Sequence, residues 1–194
     1  MTAAAALVED GTVWMGVDGQ GTTGDDVSVW NPGKLWTFFD GRMGMASAGA
    51  GRLSQELQHE WHPPAFNGAG DVVEYVRLVA GSIEEHLHSR DALWQLVCDD
   101  DSPAHLLGAI LVGLCGRVFW IGGDFYVHSP EPRRPWVAIG SGGAAAEASL
   151  FTSDRFDSSP ALRLDLALHA AAAQRIEVGP PFRVLPVLPW AAMK

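Results

Sequence analysis

The stretch TAAAALVEDGTVWMGVD, residues 2–18, decides how this chain is read. Two apolar runs flank Asp10-Gly11, and Asp-Gly between such runs is the strongest short-range signal for a β-hairpin. Residues 2–8 form the outgoing strand and residues 12–17 the return. A turn centred on Asp10 pairs positions whose numbers sum to about 20, to within one residue of register. Thr2 is thereby expected opposite Asp18, a hydroxyl beside a carboxylate.

Beyond the hairpin, residues 18–33 are glycine-rich and read as a connection. Strands follow at 34–38 and 42–47, around a turn at Asp40-Gly41. Leu53, Leu57 and Trp61 recur at helical spacing until Pro63-Pro64 ends the helix. A second helix opens at Asp71, an N-cap residue, with Val72, Val76, Val79, Ile83 and Leu87 on one stripe. Strands at 106–112 and 118–121 enclose Cys115-Gly116, and 137–139 is another. Helices at 142–152 and 160–174 come next, the latter with Leu162, Leu166 and Ala170 on its apolar face. Residues 183–188 close the chain as a strand. Strands and helices come in segregated runs, which predicts an α+β fold of stacked sheets with helices outside and not an alternating parallel sheet. There is no internal repeat and no low-complexity linker, so residues 1–194 are expected to form one domain.

The composition narrows the partners. A formal net charge of −10 excludes nucleic acid, whose phosphates need a basic face. The most apolar run, residues 106–115, falls well short of the roughly 20 residues of a membrane span. The start, MTAAAALVEDG, lacks the basic n-region of a signal peptide. Cys98 and Cys115 provide no disulfide framework. A soluble, cytoplasmic protein is expected.

Thr2, Asp18 and Lys34 stand sixteen positions apart from one another in turn. Removal of Met1 would give Thr2 a free α-amine, which titrates at about pH 8 and so is partly neutral at working pH. A neutral amine can accept the hydroxyl proton. A nearby lysine lowers the amine's pKa further and stabilises the alkoxide, and a carboxylate holds the lysine in place. The three residues make a nucleophile, its base and their orienting groups.

The segment from Met15 to Thr22 resembles the second-strand motif of HslV, the bacterial proteasome-like peptidase, and Thr2, Asp18 and Lys34 fall at that family's separations. Met45-Ala46-Ser47-Ala48-Gly49 resembles its oxyanion-hole strand, which implies the Gly49 N–H as oxyanion donor. Ala138-Ile139-Gly140-Ser141-Gly142-Gly143 is similar to its Ile-Gly-Ser-Gly block, which implies Ser141 as support for the threonine amine. The resemblance implies a four-layer αββα sandwich of the N-terminal-nucleophile hydrolases. It further implies a homo-oligomeric double ring of six- or seven-fold symmetry, fed by an ATP-dependent unfoldase, with protein or peptide substrates and no cofactor. Ser47 and Ala50 are small where substrate side chains would be recognised. The family also carries an aspartate at the end of its last long helix; here that region reads Ala170-Ala171-Ala172-Ala173-Gln174-Arg175. Two rival readings stand beside the threonine peptidase: a non-catalytic ring or scaffold subunit, and a small-molecule amidohydrolase of the same fold.

Other patterns read blandly. Gly19-Gln20-Gly21-Thr22-Thr23-Gly24 has dinucleotide-loop spacing but runs into Asp25-Asp26-Val27 instead of a helix. His59, His62, His86 and His88 lack a third ligand and read as solvated helix ends; no metal is expected. Asp99-Asp100-Asp101 lacks the alternation of a calcium loop. Trp14, Trp36 and Trp120 lie in strand patterns and are expected in the core.

Overall fold

A computed structural model describes residues 2–23, 26–29, 33–90, 93–94 and 106–190. Met1, Cys98, Asp25 and the acidic run at 99–101 lie outside the described residues. In chain order the strands are β1 (Ala4–Glu9), β2 (Thr12–Val17), β3 (Gln20–Thr23), β4 (Asp26–Val29), β5 (Leu35–Phe38) and β6 (Met43–Gly49). Helices α1 (Gly51–His59) and α2 (Val72–His88) precede β7 (Gly108–Leu114), β8 (Arg117–Ile121), β9 (Val127–His128) and β10 (Trp136–Ile139). Then come α3 (Gly143–Ser153), α4 (Pro160–Gln174) and β11 (Arg183–Val187). The fold is mixed α+β with antiparallel sheets: a four-stranded sheet ordered β10-β1-β2-β11 and a five-stranded sheet ordered β5-β6-β7-β8-β9. The glycine-rich connection contains a third, two-stranded piece, β3-β4. Residues 20–23 are strand, so the stretch after Gly19 does not lead directly into a helix.

Asp10 and Gly11 have φ of 49° and 72°, the left-handed pair a two-residue hairpin turn needs. The turn's centre therefore falls between them, and Glu9 pairs with Thr12 and Ala4 with Val17. Paired numbers sum to 21, one more than a turn centred on Asp10 gives. Ala3, not Thr2, consequently faces Asp18: the Asp18 N–H donates to the Ala3 carbonyl at 3.0 Å. Cys115 and Gly116 turn the β7–β8 hairpin in the same way, with φ of 49° and 70°. The two turns abut, since a Cβ on Gly116 would lie 2.6 Å from the Gly11 carbonyl oxygen.

Strand alternation sorts the core into three groups. Ala4 and Ala6 of β1, with Val13, Met15 and Val17 of β2, pack against Ala46, Ala48, Leu111 and Val118 of the five-stranded sheet. Ala3, Ala5 and Leu7, on the opposite face of β1, pack against Leu164, Ala167, Leu168 and Ala171 of α4. Met43, Met45, Ile110, Val112 and Phe119 pack against Leu53 and Leu57 of α1 and Val76, Val79 and Ile83 of α2. The alanine run in β1 is buried on both faces, and small side chains let a sheet and a helix close on it together. Gly44 and Gly113 are cross-strand partners on the face toward the four-stranded sheet. A Cβ on Gly44 would stand 2.6 Å from Met15 Sδ and 2.7 Å from Val187 Cγ2. Gly44→Ala is therefore expected to cost about 1–3 kcal/mol by overpacking, read as a lower midpoint in denaturant unfolding at unchanged slope.

Helix signals were obeyed at the caps. The Asp71 carboxylate accepts from the Val73 N–H at 2.8 Å, and Ser159 Oγ from the Leu162 N–H at 3.4 Å with Pro160 in the first turn. The face of α4 differs from expectation: Leu162 and Leu166 are 48% and 46% exposed, while Arg163, Leu164, Ala167, Leu168 and Ala171 are buried. Apolar residues surround this alanine-rich helix, so spacing alone does not choose the inward stripe. Trp120 is 38% exposed and stacks on His128 at 4.5 Å instead of entering the core, whereas Trp36 is buried. His86 is no solvated helix end. Its Nε2 lies 2.9 Å from Oε1 of the buried Glu56, which Arg90 Nε also contacts at 2.9 Å, tying α1 to α2.

Candidate active site

Asp18 follows the last residue of β2 and is fully buried. A buried carboxylate needs its charge answered, and three donors answer this one. Its Oδ1 accepts from the Ala3 N–H at 2.9 Å and from Lys34 Nζ at 2.8 Å; its Oδ2 accepts from the Gln20 N–H at 3.2 Å. Lys34 sits immediately before β5 and is itself buried. Burial lowers its pKa from the ordinary 10.5, against the attraction and hydrogen bond of Asp18, which raise it. Asp18 thus links the lysine to the backbone of the residue next to Thr2.

Thr2 is seated from the other side by the connection between β10 and α3. Its carbonyl oxygen accepts from the Gly142 N–H at 3.3 Å and from Ser141 Oγ at 3.5 Å. Gly140 has φ of 87°, and a Cβ there would fall 2.2 Å from the Thr2 carbonyl oxygen, so only glycine fits. Arg175, at the C-terminal cap of α4, donates from Nε to the Ser141 carbonyl at 3.1 Å. The family resemblance implies an aspartate at the end of this helix; residues 170–175 hold no acid.

The end of β6 forms the facing wall. Gly49 has φ of 126°, and a Cβ on it would lie 2.4 Å from the Leu107 carbonyl oxygen; one on its partner Gly108 would lie 2.2 Å from the Ala48 carbonyl oxygen. The glycine pair lets β6 and β7 close tightly at the site. Between these walls lies a cavity of about 490 Å³. Thr2, Gly140 and Ser141 line one side of it, and Ala48, Gly49, Gly108 and Ala109 the other.

No protein-family model matches the chain, and no curated protein matches it. Solved structures do. BPH from Thiobacillus denitrificans, in complex with epoxomicin, aligns with a TM-score of 0.79 at 16% identity, covering 96% of this chain and 100% of that one. Eukaryotic HslV from Trypanosoma brucei aligns with a TM-score of 0.69 at 20% identity, covering 95% and 98%. Anbu from Pseudomonas aeruginosa, solved as a helical assembly, aligns with a TM-score of 0.66 at 18% identity, covering 95% and 80%. The chain has the proteasome-like N-terminal-nucleophile fold.

Within this proteasome-like fold, the residues singled out from the sequence fall in two groups. Thr2, Gly49 and Ser141 line one cavity, and Asp18 and Lys34 form a buried ion pair joined to it through Ala3. Ser47 and Ala50 are not among the lining residues. Ser47 is buried with its Oγ 2.7 Å from Ser54 Oγ of α1, and Ala50 is the N-cap residue of that helix. Alternation accounts for Ser47: it shares the face of Met43 and Met45, toward the helices. Sequence reasoning missed Gly108, Ala109 and Arg175. The small Gly108-Ala109 pair at a strand start was the available signal for a cavity wall, but only the register with Ala48 and Gly49 shows where it lies. Among the described residues no cluster of three or more His, Cys, Asp or Glu could hold a metal, and no helix is long and apolar enough to cross a membrane.

Proposed function

We propose that this protein is an N-terminal threonine peptidase of the proteasome-like type. The observation that carries the reading is the Asp18 carboxylate, which joins Lys34 Nζ at 2.8 Å and the Ala3 N–H at 2.9 Å beside a Thr2 that lines a cavity. In this reading Met1 is removed and the freed Thr2 amine, neutral, takes the proton from Thr2 Oγ1 as that oxygen attacks a peptide carbonyl. The Gly49 N–H receives the oxyanion. The amine then passes its proton to the leaving nitrogen as the peptide bond breaks, leaving an acyl-ester on Thr2. Water, deprotonated by the same amine, cleaves the ester. Lys34 holds the amine's pKa down, Asp18 positions Lys34, and Ser141 supports the Thr2 backbone.

The same reading takes the chain as one domain stacked in four layers, αββα, a stacking that agrees with the three core groups. Copies of the chain would form a cytoplasmic homo-oligomer, a double ring enclosing the sites with six- or seven-fold symmetry, supplied with protein substrate by an ATP-dependent unfoldase. The absence of an acid from Ala170 to Arg175, where the resemblance implies one, favours the second reading, a non-catalytic subunit of such an assembly.

The test compares hydrolysis of a fluorogenic peptide by protein whose N-terminal residue is Thr2 and by protein that retains Met1. Turnover is expected from the first alone. Equal rates from both forms, or none from either, would rule out an amine-based mechanism.

A further inference from the structure

We propose that Arg175 is a positioning residue for the Thr2 site, fastening the turn at residues 140–142 against which Thr2 is seated. The proposal rests on the threonine-peptidase reading for its kinetic consequences, but not for its geometry. The two donors to the Thr2 carbonyl, Gly142 N–H at 3.3 Å and Ser141 Oγ at 3.5 Å, are both long. Long bonds hold a group only as firmly as their own backbone is held. That backbone is a short turn: β10 ends at Ile139, α3 begins at Gly143, two of the three residues between are glycine, and the Gly143 N–H closes it on the Gly140 carbonyl at 3.0 Å. Its only side-chain anchor from another element, among the described residues, is Arg175 Nε on the Ser141 carbonyl at 3.1 Å.

Arg175 is suited to that task because its own backbone is held on both sides. Its N–H donates to the Ala171 carbonyl and its carbonyl accepts from the Val178 N–H, each at 3.0 Å. The guanidinium is always charged, so the bond to Ser141 is charge-assisted and persists across the working pH range. The resulting path runs from α4 through Ser141 to the Thr2 carbonyl, in two hydrogen bonds.

The charge has a second effect on the Thr2 amine. Asp18 and Lys34 approach Thr2 from β2 and the start of β5, Arg175 from the end of α4, and the Ala48, Gly49, Gly108 and Ala109 wall carries no charge. A cation on the α4 side disfavours protonation of the amine. Because Arg175 is exposed and two hydrogen bonds away, solvent screens this effect and keeps it small.

The test uses Thr2-exposed protein and the variants R175A and R175K. In R175A, kcat is expected to fall roughly tenfold with KM changed less than about twofold, because positioning of the nucleophile is lost and not substrate contact. The Thr2 amine, titrated by NMR without substrate, should move upward in R175A and stay in place in R175K. R175K retains the charge but not the guanidinium's fixed donor geometry, so its kcat stays below wild type. Should R175A fail to fold, R175K decides: reduced kcat with an unmoved amine supports the proposal, and wild-type kcat overturns it. Wild-type kcat and titration in R175A overturn it too, while leaving the peptidase reading intact. A wild-type protein that cleaves nothing, but whose amine moves in R175A, supports the positioning role and sinks the catalytic reading.

Discussion

On the proposed threonine-peptidase reading, Thr2→Ala is expected to abolish peptide hydrolysis while leaving folding and particle mass unchanged. The contacts that seat residue 2 run through its backbone: its carbonyl accepts from Gly142 and Ser141, and Asp18 holds the next residue by its N–H. Alanine keeps all of these and loses the hydroxyl and a methyl group, a stability change of about 1 kcal/mol. Catalysis has no such reserve, because the acyl-ester forms on the missing oxygen. A loss on the order of 10⁴-fold or more in kcat/KM is expected. Peptide turnover and the particle mass of wild type and variant, measured side by side, check both halves. Activity surviving in the variant would remove Thr2 from the mechanism.

Lys34→Met strikes activity and stability together. On the threonine-peptidase reading the variant is expected to lose on the order of 10³-fold in turnover, since the cation that Asp18 ties to the backbone next to Thr2 is gone. Asp18 keeps two backbone donors but is fully buried without its counter-ion, at a cost of about 3 kcal/mol. Adding Asp18→Asn should return most of that stability and none of the activity, which separates the two roles. The pH dependence has a definite sign. Burial lowers the folded pKa of Lys34 below 10.5, so the native state binds this proton less tightly than the unfolded chain does. The penalty is present in full below the folded pKa and is relieved as pH rises from there toward 10.5. Denaturant unfolding followed as pH rises toward 10.5 should therefore show a stabilising contribution in wild type that Lys34→Met lacks.

How far residues announced this arrangement depends on the range of the forces involved. The hairpin was legible because Asp10-Gly11 is a local signal, and it brought Thr2 near Asp18; Lys34 came from its equal spacing and the family resemblance. The register was off by one because centring a turn on Asp10 overlooks that Gly11 is also left-handed. That single residue moves the Asp18 contact from Thr2 to the Ala3 N–H. Strands β3 and β4 were hidden in glycine-rich sequence with little alternation. Ser141 and Gly49 entered through family resemblance alone, and no local pattern marks them. Periodicity also left Leu162 and Leu166 misplaced: they share the outward face with Asp165 and His169, while a charged residue, Arg163, stands in the buried stripe. Arg175 on Ser141 and His86 on Glu56 join residues 34 and 30 positions apart, and such pairs become visible only when the chain is folded.

The central claim is that Thr2, once N-terminal, is a nucleophile with its own amine as base. Intact mass after treatment with an irreversible epoxyketone tests it directly, because full reaction requires both the hydroxyl and the free amine of one residue. The account predicts a single covalent adduct mapped to Thr2 in protein that lacks Met1, abolished by Thr2→Ala. An unchanged mass in protein whose N-terminus is Thr2, or an adduct elsewhere, would contradict it.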